Sequence, residues 1–262
     1  MKVAVFSTRP YDRRFLEEAN DGRLTFSFYD ARLDLTTCGL AEDCPALCAF
    51  VNDDLGPEVL LRLFSGKTRM VALRCTGFNN VDFYSVRNLG FTVARVPVYS
   101  PPSISEYTIG LILALARKIC RAWLRTREGN FSLDGLLGYN ICDRKAGVYG
   151  TGRIGAGVAK ILRSMGCDVV ACDPYENEEL VNLGVRYVSQ DELFRTCDLI
   201  TLHCPLTNET RYLIDDHAVD MFPEGTMLIN TSRGGLVDTR AVIRGLKSGK
   251  ISALALDVYE EE

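Results

Sequence analysis

The sequence predicts an α/β fold made of two parallel-sheet domains that are joined by a proline-rich hinge and a long helix. Apolar runs of strand length alternate with segments of helical period along the whole chain. Such alternation is typical of parallel sheets that are covered on both faces. The alternation is interrupted once, between Val96 and Pro102, by three prolines, which remove backbone donors and fix φ.

The first domain is predicted over residues 1–100. Pro10 and Pro57 mark helix starts, because proline suits the first turn of a helix. We expect its strands at 2–6, 25–29, 47–51, 70–75 and 91–96, and its helices at 11–20, 57–64 and 83–88.

The second domain is predicted over residues 101–262. It opens with one long helical pattern at 104–125, followed by a loop at 129–145 that is rich in Gly, Asn and Asp. We expect its strands at 146–149, 168–172, 185–188, 198–203, 226–230 and 251–258, and its other helices at 153–165, 191–197, 216–221 and 239–248.

Composition excludes several classes of protein. With 47% hydrophobic and 24% charged residues, the 262-residue chain is neither disordered nor collagen-like. Its net charge of −4 (30 Lys and Arg against 34 Asp and Glu) argues against a nucleic-acid or anionic-membrane surface. The ten cysteines lack CxxC or zinc spacing, so we expect reduced thiols, no metal site and a cytoplasmic location. The N-terminus has no signal-peptide pattern, and no apolar run is long enough to span a bilayer.

A GxGxxG pattern directly follows one predicted strand and opens a helix. Gly150 permits the tight turn, Gly152 lets a pyrophosphate approach the backbone, and Gly155 lets the helix pack close to the strand. The next strand ends at Asp173, whose carboxylate can bind both adenosine ribose hydroxyls and would repel a 2′-phosphate. The pattern therefore predicts a Rossmann-like second domain that binds NAD rather than NADP. The alternative is an ordinary tight turn with Asp173 as a turn residue.

Two further loops and one carboxylate lie at predicted strand ends of the same domain. They are residues 203–207, residues 230–235 and Asp257, and ligands in open α/β sheets bind beyond the carboxyl ends of the strands. Arg233 lies in the second loop, beside glycines, where its guanidinium can hold a substrate carboxylate and polarise a carbonyl. The alternative for Arg233 is a surface ion pair, and that for the acidic segment 257–262 is a solvated tail.

Seven stretches and the hinge helix together carry a family resemblance over nearly the whole chain. The chain resembles the D-2-hydroxyacid dehydrogenases, and most closely those of the fermentative D-lactate type, which implies a flavodoxin-like substrate domain before the NAD domain. The matching stretches are 50–54, 73–82, 95–101, 147–155, 203–207, 230–234 and 255–260, together with the hinge helix.

The resemblance implies a role for each matching residue. The substrate carboxylate would meet the backbone N–H groups around Thr76, Gly77 and Phe78, and Tyr99 would wall the pocket. The implied catalytic residues are Arg233 and Glu262. The implied cofactor contacts are Arg153 and Ile154 at the pyrophosphate, Cys204, Pro205 and Thr210 near adenine, and Thr231, Ser232 and Asp257 at the nicotinamide. The implied partner is a small 2-keto or 2-hydroxy acid, and family analogy implies a homodimer through the hinge helix.

The chain also departs from the family pattern. The family's catalytic histidine, which donates the proton, comes after the glutamate that Glu262 matches, and the last segment returns to the first domain. Of the two histidines, His203 matches a cofactor-lining loop and His217 a polar helix start. Tyr107 stands where the family usually has a histidine. We therefore expect a C-terminally truncated chain with an incomplete, less stable first domain. Such a chain is expected at best to bind NAD, and to reduce pyruvate poorly or not at all.

Three alternatives remain at this point. The first is another dehydrogenase of the same family, for glyoxylate, phosphoglycerate or a larger 2-keto acid; the bulk of Tyr99 favours a small substrate instead. The second is an NAD-binding regulatory protein without catalysis. The third is an unrelated α/β protein, which would require the glycine pattern, Asp173 and Arg233 all to be accidental.

Overall fold

The computed structural model describes residues 1–260 and divides into two compact units, Met1–Tyr99 (unit 1) and a second that begins at Ser100 (unit 2). Each unit contains one sheet, and every strand pairing in the described residues is parallel. The predicted α/β fold with two parallel sheets is confirmed.

Unit 1 contains a five-stranded sheet in the order β2-β1-β3-β4-β5, which is the flavodoxin-like order. Asp82 caps the third helix by accepting the Ser85 N–H, and Gly90 ends it in the left-handed region. The elements are β1 Lys2–Val5, α1 Pro10–Glu18, β2 Thr25–Phe28, β3 Ala46–Ala49, α2 Pro57–Ser65, β4 Met70–Leu73, α3 Phe83–Leu89 and β5 Thr92–Arg95.

The two faces of the unit 1 sheet carry cores of different size. One face packs against α2 and the loops around it, and its buried side chains include Leu47, Leu60 and Val71. The buried side chains on the other face are Val3, Val5, Ala46 and Cys48. Because successive strand residues point to opposite faces, Leu47 and Cys48 contribute to different cores.

Unit 2 contains a six-stranded sheet in the order β11-β10-β9-β6-β7-β8, the doubly wound order of the Rossmann fold. The chain enters the sheet at its centre, in β6, and the order reverses there, which opens a crevice at the carboxyl ends of β6 and β9. The elements are α4 Pro101–Ala116, α5 Ile119–Arg127, β6 Lys145–Tyr149, α6 Arg153–Ser164, β7 Asp168–Cys172, α7 Glu178–Asn182, β8 Arg186–Tyr187, α8 Gln190–Thr196, β9 Leu199–Leu202, α9 Asp216–Met221, β10 Thr226–Asn230, α10 Thr239–Ser248 and β11 Ile251–Leu256.

The hinge helix differs from its prediction at both ends. It begins at Pro101 rather than 104, because Pro101 and Pro102 occupy the first turn, where a missing N–H costs nothing. It ends at Ala116, since Lys118 adopts a left-handed conformation (φ +56°) that separates α4 from α5. The single helix predicted over 104–125 is therefore wrong. No helix in residues 1–260 has both the length and the apolar character needed to cross a membrane.

Candidate active site

The glycine-rich loop after β6 has the geometry that its sequence predicts. Gly150 has a φ of +92°, and its N–H donates to the Cys172 carbonyl oxygen over 2.9 Å. A Cβ on Gly155 would overlap the Gly150 carbonyl oxygen, so any larger residue would push α6 away from the strand. Gly152, in contrast, has no atom within 4 Å of the place where a Cβ would stand. The loop therefore leaves open space directly over Gly152.

The amino end of α6 faces this open space without a capping side chain. Gly152 occupies the N-cap position, so no side chain satisfies the first N–H groups of the helix. The helix dipole adds partial positive charge at this end, which favours an anion. Arg153 is exposed at the first helical position, and the Ile154 carbonyl oxygen accepts a hydrogen bond from Ser105 Oγ over 3.0 Å. Ser105 thereby ties α4 to the beginning of α6.

The Asp173 carboxylate lies beside the glycine loop at the end of β7. Its Oδ2 accepts the Thr151 N–H over 2.6 Å, and its Oδ1 accepts the Tyr175 N–H over 2.9 Å. An ionised carboxylate offers about four acceptor positions, so two further donors can bind it. The two hydroxyls of a ribose are donors of that kind.

The loop after β10 is folded by the buried side chain of Asn230. Its Nδ2 donates to the Arg233 carbonyl oxygen over 2.8 Å, and its Oδ1 accepts the Ser232 N–H over 3.0 Å. Gly234 is needed next, because a Cβ there would overlap the Tyr259 carbonyl oxygen. No ion pair within residues 1–260 includes Arg233, so its charge is available to an anionic ligand.

The loop after β9 is connected to the Arg233 loop. Ser232 Oγ donates to the Cys204 carbonyl oxygen over 2.7 Å. Thr210 Oγ1 donates to the Pro205 carbonyl oxygen over 2.7 Å and holds the turn between them. The structure thus brings Cys204, Pro205, Thr210 and Ser232 together at one edge of the sheet.

The helix α4 reaches the same edge through two neighbouring residues. The hydroxyls of Thr108 and Thr231 lie 2.9 Å apart and share a hydrogen bond. The Tyr107 hydroxyl hydrogen-bonds the Asp257 carboxylate, which raises the pKa of Tyr107. Asp257 itself is held by its N–H, which donates to the Asn230 carbonyl oxygen over 3.0 Å. Tyr107 and Thr108 therefore connect α4 to the ends of β11 and β10.

In unit 1, the loop after β4 carries the residues predicted to bind a carboxylate. Within the described residues, the backbone N–H groups of Thr76, Gly77 and Phe78 donate to no backbone oxygen, and Thr76 Oγ1 is buried without a partner. Arg95 Nη1 donates to the Thr76 carbonyl oxygen over 3.1 Å, and its guanidinium lies 5.0 Å from the Phe78 ring centre. Tyr99 is exposed. The loop thus offers unused donors beside a positive charge.

The two histidines lie in different surroundings, His203 buried and His217 at the surface. Burial lowers the pKa of His203 to about 4, and its Nε2 lies 2.9 Å from Thr201 Oγ1. His217 is exposed on α9. The predicted catalytic Glu262 lies outside the described residues.

Thiol and metal chemistry are not favoured at this edge of the sheet. All ten cysteines are free. Burial raises the pKa of Cys204 to about 12, so this thiol is protonated at neutral pH. Within residues 1–260, no group of three or more His, Cys, Asp or Glu side chains could hold a metal ion.

Two residues that organise the site were not predicted. Asn230 folds the Arg233 loop from inside the core, and Ser105 connects α4 to α6. A polar residue at the end of an apolar strand signals Asn230, since a buried amide needs partners. Nothing in the local sequence distinguishes Ser105 from an ordinary helix residue.

Comparison with known proteins decides the family. The family described as "D-isomer specific 2-hydroxyacid dehydrogenase, NAD binding domain" matches residues 109–262. The chain belongs to the D-isomer specific 2-hydroxyacid dehydrogenases. A "2-hydroxyacid dehydrogenase homolog" of Haemophilus influenzae is 47% identical over 100% of this chain and 80% of its own length. The predicted resemblance is confirmed, and with it the assignment to the NAD-dependent oxidoreductases.

Two solved dehydrogenase structures have the same fold as this chain. The apo-structure of D-lactate dehydrogenase from Escherichia coli superposes with a TM-score of 0.93 at 44% identity, covering 100% of this chain and 83% of the other. D-lactate dehydrogenase from Aquifex aeolicus, complexed with NAD and lactic acid, gives a TM-score of 0.89 at 33% identity over 99% and 77% of the two chains.

The residues of this dehydrogenase fit an NAD molecule. The space over Gly152 and the uncapped end of α6 suit a pyrophosphate, because no side chain blocks the backbone donors there. The remaining acceptor positions of Asp173 suit ribose hydroxyls. The cofactor predicted from the sequence is therefore confirmed by the family and matched by the local geometry.

Proposed function

We propose that this dehydrogenase interconverts pyruvate and D-lactate with NAD, and that Arg233 binds the reacting acid. The observation that carries the proposal is the Arg233 loop, which Asn230 and Gly234 fix while the guanidinium donates only to the Ser232 carbonyl oxygen and forms no ion pair within the described residues. The relatives named D-lactate dehydrogenase support the choice of substrate, and the bulk of Tyr99 favours a small acid.

Each part of the site has one task in this proposal. The N–H groups of Thr76, Gly77 and Phe78 bind the substrate carboxylate, and Tyr99 closes the pocket. Bound NADH supplies the hydride to the carbonyl carbon. Arg233 orients the acid and stabilises negative charge on the carbonyl oxygen as it develops, since a fixed cation stabilises an oxyanion without reorganisation. Glu262 is proposed as the catalytic glutamate.

The cofactor is held by the second set of residues. Gly150, Gly152 and Gly155 shape the pyrophosphate site, and its contacts come from Arg153 and Ile154. Asp173 binds the adenosine ribose and repels a 2′-phosphate, which makes NAD the preferred cofactor over NADP. The adenine side is lined by Cys204, Pro205 and Thr210, and the nicotinamide side by Thr231, Ser232 and Asp257.

We also propose that neither His203 nor His217 donates the proton to the carbonyl oxygen. A low pKa keeps His203 neutral at pH 7, and His217 is a surface residue. General acid catalysis contributes about 10²- to 10⁴-fold in rate. The 262-residue polypeptide is therefore expected to bind NADH and pyruvate but to oxidise NADH slowly.

The test separates binding from turnover. NADH fluorescence is measured first alone and then with oxamate, an unreactive analogue of pyruvate, and with 2-keto acids of increasing size. We expect NADH binding, and oxamate binding that Arg233→Gln abolishes while NADH binding survives. Arg195→Gln is the control, because Arg195 is an exposed arginine of the same unit on α8. Equal oxamate binding in Arg233→Gln and the wild type contradicts the role of Arg233.

Turnover then tests the proton donor. Imidazole added at pH 6.5 should raise the slow rate of NADH oxidation with pyruvate, because it supplies the missing acid from solution. A fast rate that is independent of imidazole shows that the polypeptide contains its own donor. Faster turnover of a larger 2-keto acid than of pyruvate contradicts the proposed substrate.

We propose that two copies associate through α5 and the loop after it, and that the dimer is cytoplasmic. The helix has no buried residue, and large apolar side chains on this segment are exposed: Ile119, Trp123, Leu124, Phe131, Leu133 and Leu137. An exposed apolar surface of this kind marks an interaction site. Light scattering should show a dimer that Trp123→Glu converts to monomer, while Tyr175→Glu, a change at another exposed aromatic, has no effect.

A further inference from the structure

The phenol of Tyr187 connects two backbone segments beside the cofactor site. Its hydroxyl donates to Thr151 Oγ1 over 3.0 Å and accepts the Asn177 N–H over 2.8 Å. Thr151 is the residue between the first two glycines of the loop and is 4% exposed. The hydroxyl thus lies between the glycine loop and the cap of α7.

Both sides of this connection are anchored in the fold. Tyr187 pairs with Ala171 in β7, and the Val188 N–H donates to the Ala171 carbonyl oxygen over 2.8 Å. Asn177 caps α7 by accepting the Glu179 N–H over 3.0 Å. The phenol therefore has a fixed position from which it can hold Thr151.

Thr151 in turn determines the position of the Asp173 carboxylate. The Thr151 N–H donates to Asp173 Oδ2 over 2.6 Å, while its side chain accepts from Tyr187. The Thr151 N–H and the Tyr175 N–H together orient the carboxylate, and so they set the directions of its two remaining acceptor positions. A shift of Thr151 changes those directions, although Asp173 keeps its charge.

We propose that Tyr187 is a positioning residue that, through Thr151, aims Asp173 at the adenosine ribose and so sets the preference for a free 2′-hydroxyl over a 2′-phosphate. The inference rests on the proposed role of Asp173. It adds that the charge of Asp173 is insufficient alone: the carboxylate discriminates because the Tyr187 hydroxyl holds it in place.

Loss of the Tyr187 hydroxyl is expected to change the affinities for NADH and NADPH differently. With Tyr187→Phe, the Thr151 side chain and the Asn177 N–H lose a partner, and the carboxylate gains freedom to turn. Hydrogen bonds to the ribose hydroxyls weaken, which lowers affinity for NADH. Repulsion of a 2′-phosphate weakens as well, so affinity for NADPH is unchanged or rises.

The test measures NADH and NADPH dissociation constants by fluorescence, which requires no turnover. A single hydrogen bond of this kind corresponds to about 3- to 10-fold in affinity. We expect Tyr187→Phe and Thr151→Val each to weaken NADH binding by about that factor without weakening NADPH binding. The double variant should resemble either single one, and Thr151→Ser should retain wild-type behaviour.

Tyr139→Phe is the matched control. Tyr139 is half-buried in the same unit, but its ring lies near Arg144, which precedes β6 at the opposite edge of the sheet. Its cofactor ratio should equal that of the wild type, and thermal melting should show each variant folded. Should Tyr187→Phe fail to fold, Thr151→Val tests the same contact from its other side.

Asp173→Asn separates failure of this proposal from failure of the role of Asp173. If Asp173→Asn loses discrimination while Tyr187→Phe and Thr151→Val keep it, the positioning role is wrong. An equal loss of NADH and NADPH affinity in Tyr187→Phe is also contrary to the proposal, because it indicates general damage. A wild-type ratio in Asp173→Asn overturns both roles together.

Discussion

In unit 2, nineteen buried side chains of the described residues pack on each face of the sheet, whereas in unit 1 the two faces carry eighteen and four. The helix α1 lies on the thin face of unit 1 through Leu16 and has no buried residue. Both sheets are parallel, but the edge strands β2 and β5 of unit 1 carry polar residues and are at most partly buried. The difference therefore comes from the edge strands as well as from what covers the sheet.

The comparison shows where side chains of the site are fixed most firmly. In unit 2 the glycine loop, Asp173 and Asn230 lie at strand ends that are buried from both sides, and each has several hydrogen-bond partners. In unit 1 the loop after β4 keeps unused backbone donors. We infer that unit 2 tolerates substitutions near its ligand site less well than unit 1 does.

The largest effect is expected from Gly155→Ala in unit 2. Its new Cβ overlaps the Gly150 carbonyl oxygen, and the tightly packed α6 has no room to retreat. We expect a loss of about 3 kcal/mol in stability and about 100-fold in NADH affinity. Gly152→Ala is the control, because its Cβ would meet no atom within 4 Å. This variant should have the melting temperature of the wild type, but it should bind NADH about tenfold more weakly than the wild type. Normal melting of Gly155→Ala would contradict the rigidity assigned to unit 2.

The next effect is a pH dependence centred on His203 in unit 2. Burial lowers its pKa from 6.5 to about 4, so the folded chain holds it neutral while the unfolded chain protonates it as the pH falls below 6.5. Its contribution to stability is complete above pH 6.5 and is lost towards pH 4, by up to about 3 kcal/mol. Urea unfolding of the wild type and of His203→Gln at pH 7 and pH 4.5 should show the steeper loss in the wild type. Parallel losses would mean that His203 does not titrate on unfolding.

A smaller effect separates the two faces of unit 1. Val71 and Val5 are both fully buried, but Val71 belongs to the deep face and Val5 to the thin one. We expect Val71→Ala to cost about 2 kcal/mol and Val5→Ala about 1 kcal/mol, because a thin core relaxes around a cavity more easily. Urea unfolding measures both values. Equal costs would show that the thin face is packed as rigidly as the deep one.

The smallest effect is expected outside both cores, at Gly110 in α4. The residue is exposed, and a Cβ there would meet no atom within 4 Å. Gly110→Ala should therefore stabilise the protein by about 0.5–1 kcal/mol, since alanine loses less backbone entropy in a helix. Thermal melting detects the gain. A lower melting temperature would contradict this prediction and would indicate that another surface packs against Gly110.

Much of the fold followed from the sequence because the signals were local. Strand and helix alternation, the glycine spacing and the position of Asp173 at a strand end each depend on a few neighbouring residues. The break between α4 and α5 did not follow, because Lys118 adopts a positive φ without a glycine or proline to announce it. The strand orders, in turn, require knowledge of which distant strands pair.

The assignment of chemistry to the site residues stays a prediction, and the sequence did not predict the residues that support them. The sequence pointed to Arg233 and Asp173 by residue type and position, whereas Ser105 and Tyr187 act through partners that lie elsewhere in the chain. Such roles arise from tertiary contacts. A motif shows which side chain meets a ligand, and only the folded structure shows what holds that side chain in place.

The parallel sheets also have a consequence for how the chain folds. The closest pairing in sequence, Val170 with Arg186, spans 16 residues (186 − 170), Lys2 with Thr25 spans 23 (25 − 2), and Ala146 with Leu199 spans 53 (199 − 146). The described residues contain no β-hairpin that could nucleate folding. Each strand can therefore pair with another strand only after a complete crossover connection has formed. Folding should therefore be slow. During synthesis on the ribosome, the backbone hydrogen-bonding groups of each strand remain unpaired until its partner strand has been made.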